Sequence, residues 1–227
     1  MNLRISTLLV VTALAAACSS TASLPDGGEA QFGLLNALAA GETATLSLDG
    51  TALALPASGA RSTKAIPAGA HRLEARTSTG SLLGALDFTA SEGSRSVTVV
   101  ARSGPDALAL LMTADTASVP PLGGSKIRVI HAADGVEPLK AWLRLAGTPM
   151  DSGAGFLSPF LRGAGSNPEF PGYAVRPPGS YLVTGTSLAT GETLVENAVQ
   201  LAANEVWSAI LTRTTTGGLE FQMVREK

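Results

Sequence analysis

Apolar and polar residues alternate in short runs along most of this chain, and Gly, Pro, Asp and Asn interrupt the runs at close intervals. No stretch of a dozen residues sustains the 3.6-residue period of an amphipathic helix, so the pattern predicts many short β-strands. The clearest element is Thr43–Leu55, TATLSLDGTALAL. Asp49-Gly50 predicts a two-residue hairpin turn, because both central positions of a type I′ turn need positive φ and Asp-Gly adopts it readily. Leu48 then faces Thr51, Leu46 faces Leu53 and Ala44 faces Leu55, which places all six on one face of a half-buried antiparallel pair. The run LKAWLRL alternates as cleanly. It predicts Leu139, Ala141, Leu143 and Leu145 toward a core, with Lys140, Trp142 and Arg144 on the opposite face.

The pattern also repeats. QFGLLNA (Gln31–Ala37) matches KIRVIHA (Lys126–Ala132), and LSLDGT (Leu46–Thr51) matches LRLAGT (Leu143–Thr148). PAGAHRLEA (Pro67–Ala75) matches PPGSYLVTG (Pro177–Gly185), and ALALLMT (Ala107–Thr113) matches GLEFQMV (Gly218–Val224). Four blocks in one order indicate a duplicated unit. With no helical stretch between the strands, a parallel α/β sheet is disfavoured. The expected fold is all-β: two tandem antiparallel immunoglobulin-like β-sandwich domains, each of about a hundred residues. Repeat 1 covers 30–117, a linker 118–125, and repeat 2 126–227.

The N-terminus adds a compartment. MNLRISTLLVVTALAAAC has a basic residue, an apolar run too short to span a bilayer, and small residues before the chain's single cysteine. Residues 1–17 read as a lipoprotein signal peptide, Cys18 as the acylated residue, and 18–29 as a flexible tether. Acyl chains on Cys18 would make the membrane a partner through the N-terminal lipid. Ser19 after the cysteine fits sorting to the outer membrane of the bacterial cell envelope. Removing 1–17 leaves 210 residues with 15 basic and 18 acidic side chains, a net of −3. That balance, without a basic stripe, argues against nucleic acid. Hydrophobic residues make up 45% but aromatic ones only 4%, so the core must be mainly Ala, Val and Leu.

The segment VIHAADGVEP, the LRLAGT hairpin and PPGSYLVTGTS resemble the bacterial envelope family called domain of unknown function 4397. The matching positions in the second copy are His131, Ala132, Asp134, Pro138, Gly147, Pro178, Gly179 and Tyr181. The first copy keeps Asp49-Gly50 and Pro67-Ala68-Gly69, with Asn36 in the histidine's place and His71 in the tyrosine's. The resemblance implies an extracytoplasmic, often lipid-anchored β-sandwich and carries over no catalytic residue.

The chemistry-bearing residues are sparse. His131 ends an alternating run and is read as a structural strand-end group, since Asn36, a poor base, fills its place in the first copy; the contrary reading is a general base or metal ligand. Asp49 and Gly50 are likewise architectural. No metal or cofactor is expected: the two histidines sit in different copies, and after acylation no thiol is free. Gly-x-Ser-x-Gly, His-Glu-x-x-His and Walker patterns are absent from the sequence. The candidate binding surface is Trp142 with Lys140 and Arg144, read either as packed and covered by the cations or as a recognition patch. A second candidate is the insertion at about 149–175. Thr148 to Gly179 spans 31 positions against 18 for Thr51 to Gly69, and the excess carries Phe156, Phe160, Phe170 and Tyr173. It either caps the core or forms a binding surface.

The function expected from these residues is that of a non-enzymatic, lipid-anchored envelope protein with a protein or envelope-glycan partner. It would act in adhesion, envelope organisation or ligand recognition. The alternatives are an extracytoplasmic enzyme acting on glycans or peptides, and a structural spacer.

Overall fold

The computed structural model describes residues 28–115, 117–118, 120, 123–137, 139–150, 154–155 and 172–227. The protein is all-β, with 62% of the described residues in strands. The first eight strands are β1 (Glu29–Ala37), β2 (Thr45–Leu48), β3 (Thr51–Leu53), β4 (Arg61–Pro67), β5 (Gly69–Arg76), β6 (Leu82–Ala90), β7 (Arg95–Gly104) and β8 (Ala107–Ala114). The second eight are β9 (Ser125–His131), β10 (Leu139–Leu145), β11 (Ala154–Gly155), β12 (Ala174–Arg176), β13 (Gly179–Ser187), β14 (Thr193–Leu201), β15 (Val206–Arg213) and β16 (Leu219–Arg225).

The first eight strands form two sheets, ordered β4-β1-β7-β8 and β3-β2-β5-β6. The second eight form β12-β9-β15-β16 and β11-β10-β13-β14, which is the same order shifted by eight. Most neighbours are antiparallel, but β1 runs parallel to β7 and β9 parallel to β15. The purely antiparallel expectation is therefore corrected at one pair in each half. Hairpin alternation cannot reveal such a pair, because its strands lie some sixty residues or more apart in the chain and its ladder depends on no local turn.

The β2–β3 hairpin has the expected register, Leu46 opposite Leu53 and Leu48 opposite Thr51. Asp49 and Gly50 take φ angles of 51° and 76°, the left-handed pair a type I′ turn requires. In β10, Leu139, Ala141 and Leu143 are buried, whereas Leu145 is half exposed. The expectation that Leu145 faces the core is corrected: it is the strand's last residue, paired with Tyr181 near the start of β13.

Three apolar layers hold the sheets. Phe32, Leu46, Leu73, Leu86 and Val100 fill the space between the first two sheets. Ile127, Leu143, Val183, Leu211 and Phe221 do the same between the second two. A third cluster joins Leu35, Val99 and Leu111 to Ile130, Ile210 and Val224. The sheets containing β1 and β9 therefore pack back to back, giving four layers. Their central strands are buried on both faces, as in β7, where Val97, Val99 and Ala101 face the other half and Val100 faces its own core. Ala37, Ala101, Ala109 and Ala132 in the middle layer let two β-surfaces approach closely. Backbone bonds clasp the rim: Asp134 N–H donates to Ser103 O at 2.8 Å and Arg225 N–H to Gly59 O at 3.2 Å.

Candidate functional site

The β10 face carries the first candidate surface. Trp142 is half-buried, and its Nε1–H donates to Thr186 Oγ1 at 3.2 Å. The Lys140 ammonium lies 3.8 Å from the centre of its ring, a contact worth about 0.5–1 kcal/mol at such a site. Arg144 turns away, donating to Thr148 O at 2.6 Å and pairing with Glu196 at 2.9 Å. The three side chains expected together are thus on one face, but one cation covers the indole while the other braces a turn.

The strand-end residues follow the duplication. Asn36 is buried, donates from Nδ2 to Pro56 O at 2.7 Å and accepts from Leu38 N–H at 2.9 Å. His131 is fully buried at the end of β9, two residues beyond Val129 on the same face. The Pro-x-Gly corners also correspond. Tyr181 donates its hydroxyl to Pro177 O at 2.9 Å, and His71 places Nε2 2.8 Å from Pro67 O, each four residues back.

His71 differs from tyrosine in having a second polar atom. Its Nδ1 lies 2.7 Å from Asp49 Oδ2, and Asp49 Oδ1 accepts the Arg72 N–H at 2.8 Å. Two acceptors flank one ring, so only the imidazolium satisfies both. Burial opposes that charge, but the bonds to Asp49 and Pro67 outweigh it, and the His71 pKa is raised above 6.5. A raised folded pKa means this contribution is complete below pH 6.5 and is lost as pH rises through the folded value. Denaturant midpoints measured across that range should fall for the wild type more steeply than for Asp49→Asn. Parallel curves would show that the pair does not titrate as described.

Between the halves lies a buried ionic cluster that the sequence did not disclose. Arg128 of β9 lies 2.9 Å from Glu226, and its Nε donates to Ser208 Oγ at 2.8 Å. Ser208 in turn donates to Glu226 Oε1 at 2.5 Å. From the first half, Arg61 of β4 reaches Glu226 at 3.4 Å and Asp115 at 2.5 Å. The side chains of Arg128 and Glu226 are 2% and 0% exposed. Tyr173 belongs here and not beside Trp142: its hydroxyl donates to Glu226 at 2.8 Å and its ring lies under the Arg128 guanidinium. Burial, with Glu226 reinforcing it against the pull of Arg128, pushes the Tyr173 pKa up. The Asp115 pKa is lowered, because the Arg61 bond overcomes the cost of burial. Cys18, Phe156, Phe160 and Phe170 lie outside the described residues. Among the described residues no three His, Cys, Asp or Glu side chains gather as a metal site.

A concavity opens along the seam between the edge strands β6 and β8. At one end the two sheets pinch together: a Cβ on Gly84 would lie 2.5 Å from Leu108 O. Toward the other end they diverge around a cleft of about 660 Å³, lined by Phe88, Ala90, Met112 and Ala114, with Asp87, Ser94, Arg95 and Ser96 at polar positions. That volume is within the range of small-molecule sites, ~300–1,000 Å³. No spacing motif announces the cleft, because its walls come from three consecutive strands that the fold divides between two sheets. No protein-family model matches the chain, and no curated protein matches it.

Proposed function

We propose that the chain is a non-enzymatic recognition protein of the bacterial cell envelope, anchored through lipid on Cys18. In this reading its two eight-strand halves are tandem immunoglobulin-like β-sandwiches, related to domain of unknown function 4397, and its partner is a protein or envelope ligand. One observation carries the preference for binding over catalysis. Two polar groups that burial could tune for chemistry are committed to holding the fold. His71 has both ring nitrogens engaged by Asp49 and Pro67, and Glu226 is shared by Arg128, Ser208 and Tyr173. A general base needs a free lone pair within reach of a substrate proton, and neither group offers one. What faces solvent is recognition surface: an open cleft and a half-buried tryptophan.

The anchor is tested by growth with a labelled fatty acid, which should mark the wild type and leave Cys18→Ala unmarked. Label in both proteins, or in neither, would remove the lipoprotein reading.

A further inference from the structure

The duplication supplies an internal control for the β6–β8 cleft. In the first half Ser96 of β7 stands opposite Ala114 on one side and Phe32 on the other. In the second half the same ladder position is Trp207, opposite Arg225 and Ile127. Trp207 packs against its core, and its Nε1–H donates to Glu205 at 3.0 Å. Ala90, paired with Gly69, corresponds to Leu201, paired with Gly179, and Leu201 is fully buried. The second seam is also bridged where Asn197 Nδ2 donates to Phe221 O at 3.0 Å. So the second half closes its seam with an indole and a leucine, and the first half puts serine and alanine in those places and leaves a cleft.

We propose that the first-half cleft is a binding site for a small planar aromatic molecule that carries an N–H donor, of indole size or somewhat larger. The shape argument comes from the chain itself, since an indole already occupies the equivalent space in the second half. The donor argument is parallel: the residue before Ser96's neighbour Arg95 is Ser94, at the ladder position of Glu205, so its hydroxyl can accept where that carboxylate does. The wall is suited to a ring. Phe88 is stacked on Phe32 with centroids 5.4 Å apart and is flanked by His71 at 5.4 Å, so an incoming ring meets its edge, a favoured aromatic geometry. Met112 adds a thioether on the β8 side, a soft surface that adapts to aromatic ligands. Phe32, the counterpart of Ile127, lies in the core against Phe88, and the cleft beside them is open to solvent along the seam.

The site gives the recognition reading a ligand class and rests on it, but the two fail separately, because lipid labelling at Cys18 does not depend on the cleft. The test is titration of the purified full chain in detergent with a fluoroindole, followed by fluorine NMR. Saturable binding to the wild type with a dissociation constant at or below about 1 mM is expected for a ligand of this size. Ser96→Trp, which copies the second half, should weaken binding at least about tenfold while the melting temperature is kept. Ala90→Leu, copying Leu201, is the milder variant and should weaken binding in the same direction even where the larger side chain disturbs folding. Partitioning into micelles is common to all three proteins. Equal binding by wild type and both variants, or no saturable binding to the wild type, would overturn the proposal.

Discussion

Glu226→Gln is expected to destabilise the folded chain by roughly 3–5 kcal/mol, because it leaves a buried guanidinium without its counter-charge. Arg128 is 2% exposed, and the Glu226 carboxylate 2.9 Å away is its ionic partner. The same carboxylate accepts from Ser208 and Tyr173 and meets Arg61 of the other half. Glutamine keeps the shape but has one acceptor oxygen in place of a charged pair. Urea unfolding should show the midpoint lowered with its slope unchanged. The double variant Arg128→Met/Glu226→Met should recover most of the loss, since an apolar pair avoids the desolvation cost that a broken ion pair exposes. A Glu226→Gln protein as stable as wild type would show that the cluster does not hold the halves together. Acid provides an independent probe. Asp115 has a lowered pKa, so its contribution is present above pH 3.8 and is lost as pH falls through the folded value.

Ile210→Asp should separate the two halves. Ile210 is fully buried in the layer shared with Leu35, Val99 and Ile130, and the nearby cation on that face, Arg128, is already paired with Glu226. The expected cost is at least ~4 kcal/mol, concentrated on the contact between the sheets and not on either half's own core. Scanning calorimetry should therefore resolve two transitions where the wild type gives one. A single transition at the wild-type temperature would mean that the layer contributes little.

Much of the local structure was legible. Asp49-Gly50 specified its turn because positive φ is a local demand, and the β2–β3 register followed from it. The Leu139, Ala141 and Leu143 face was readable because side chains alternate with period two. The correspondence of His71 with Tyr181 came from aligning two Pro-x-Gly corners, and the structure puts both side chains on the equivalent carbonyl.

The back-to-back packing had a signal that alternation hid. In Val97-Thr98-Val99-Val100-Ala101 and Ser208-Ala209-Ile210-Leu211 both phases of the alternation are apolar or small, as strands buried on two faces require. Arg128 sits on the face that also carries Ile130 and Ala132, so a charged residue on that face gave it the look of a solvated one. Only the tertiary structure supplies Glu226, almost a hundred residues away, to neutralise it. Nor could sequence show that Ser96 lines a cleft. A serine on a strand is ordinary until the ladder places it where the other half has Trp207.

The sequence by itself determined an all-β chain, its turn at Asp49-Gly50, its inward-facing residues and its internal repeat, because turns and pleats are governed by neighbours a few residues apart. The tertiary structure alone decided the parallel β1–β7 and β9–β15 pairs, the apolar layer joining the halves, the Arg128–Glu226 cluster and the open seam between β6 and β8. Each of these depends on which distant strands meet, and burial on a second face or a missing plug exists only once they have met.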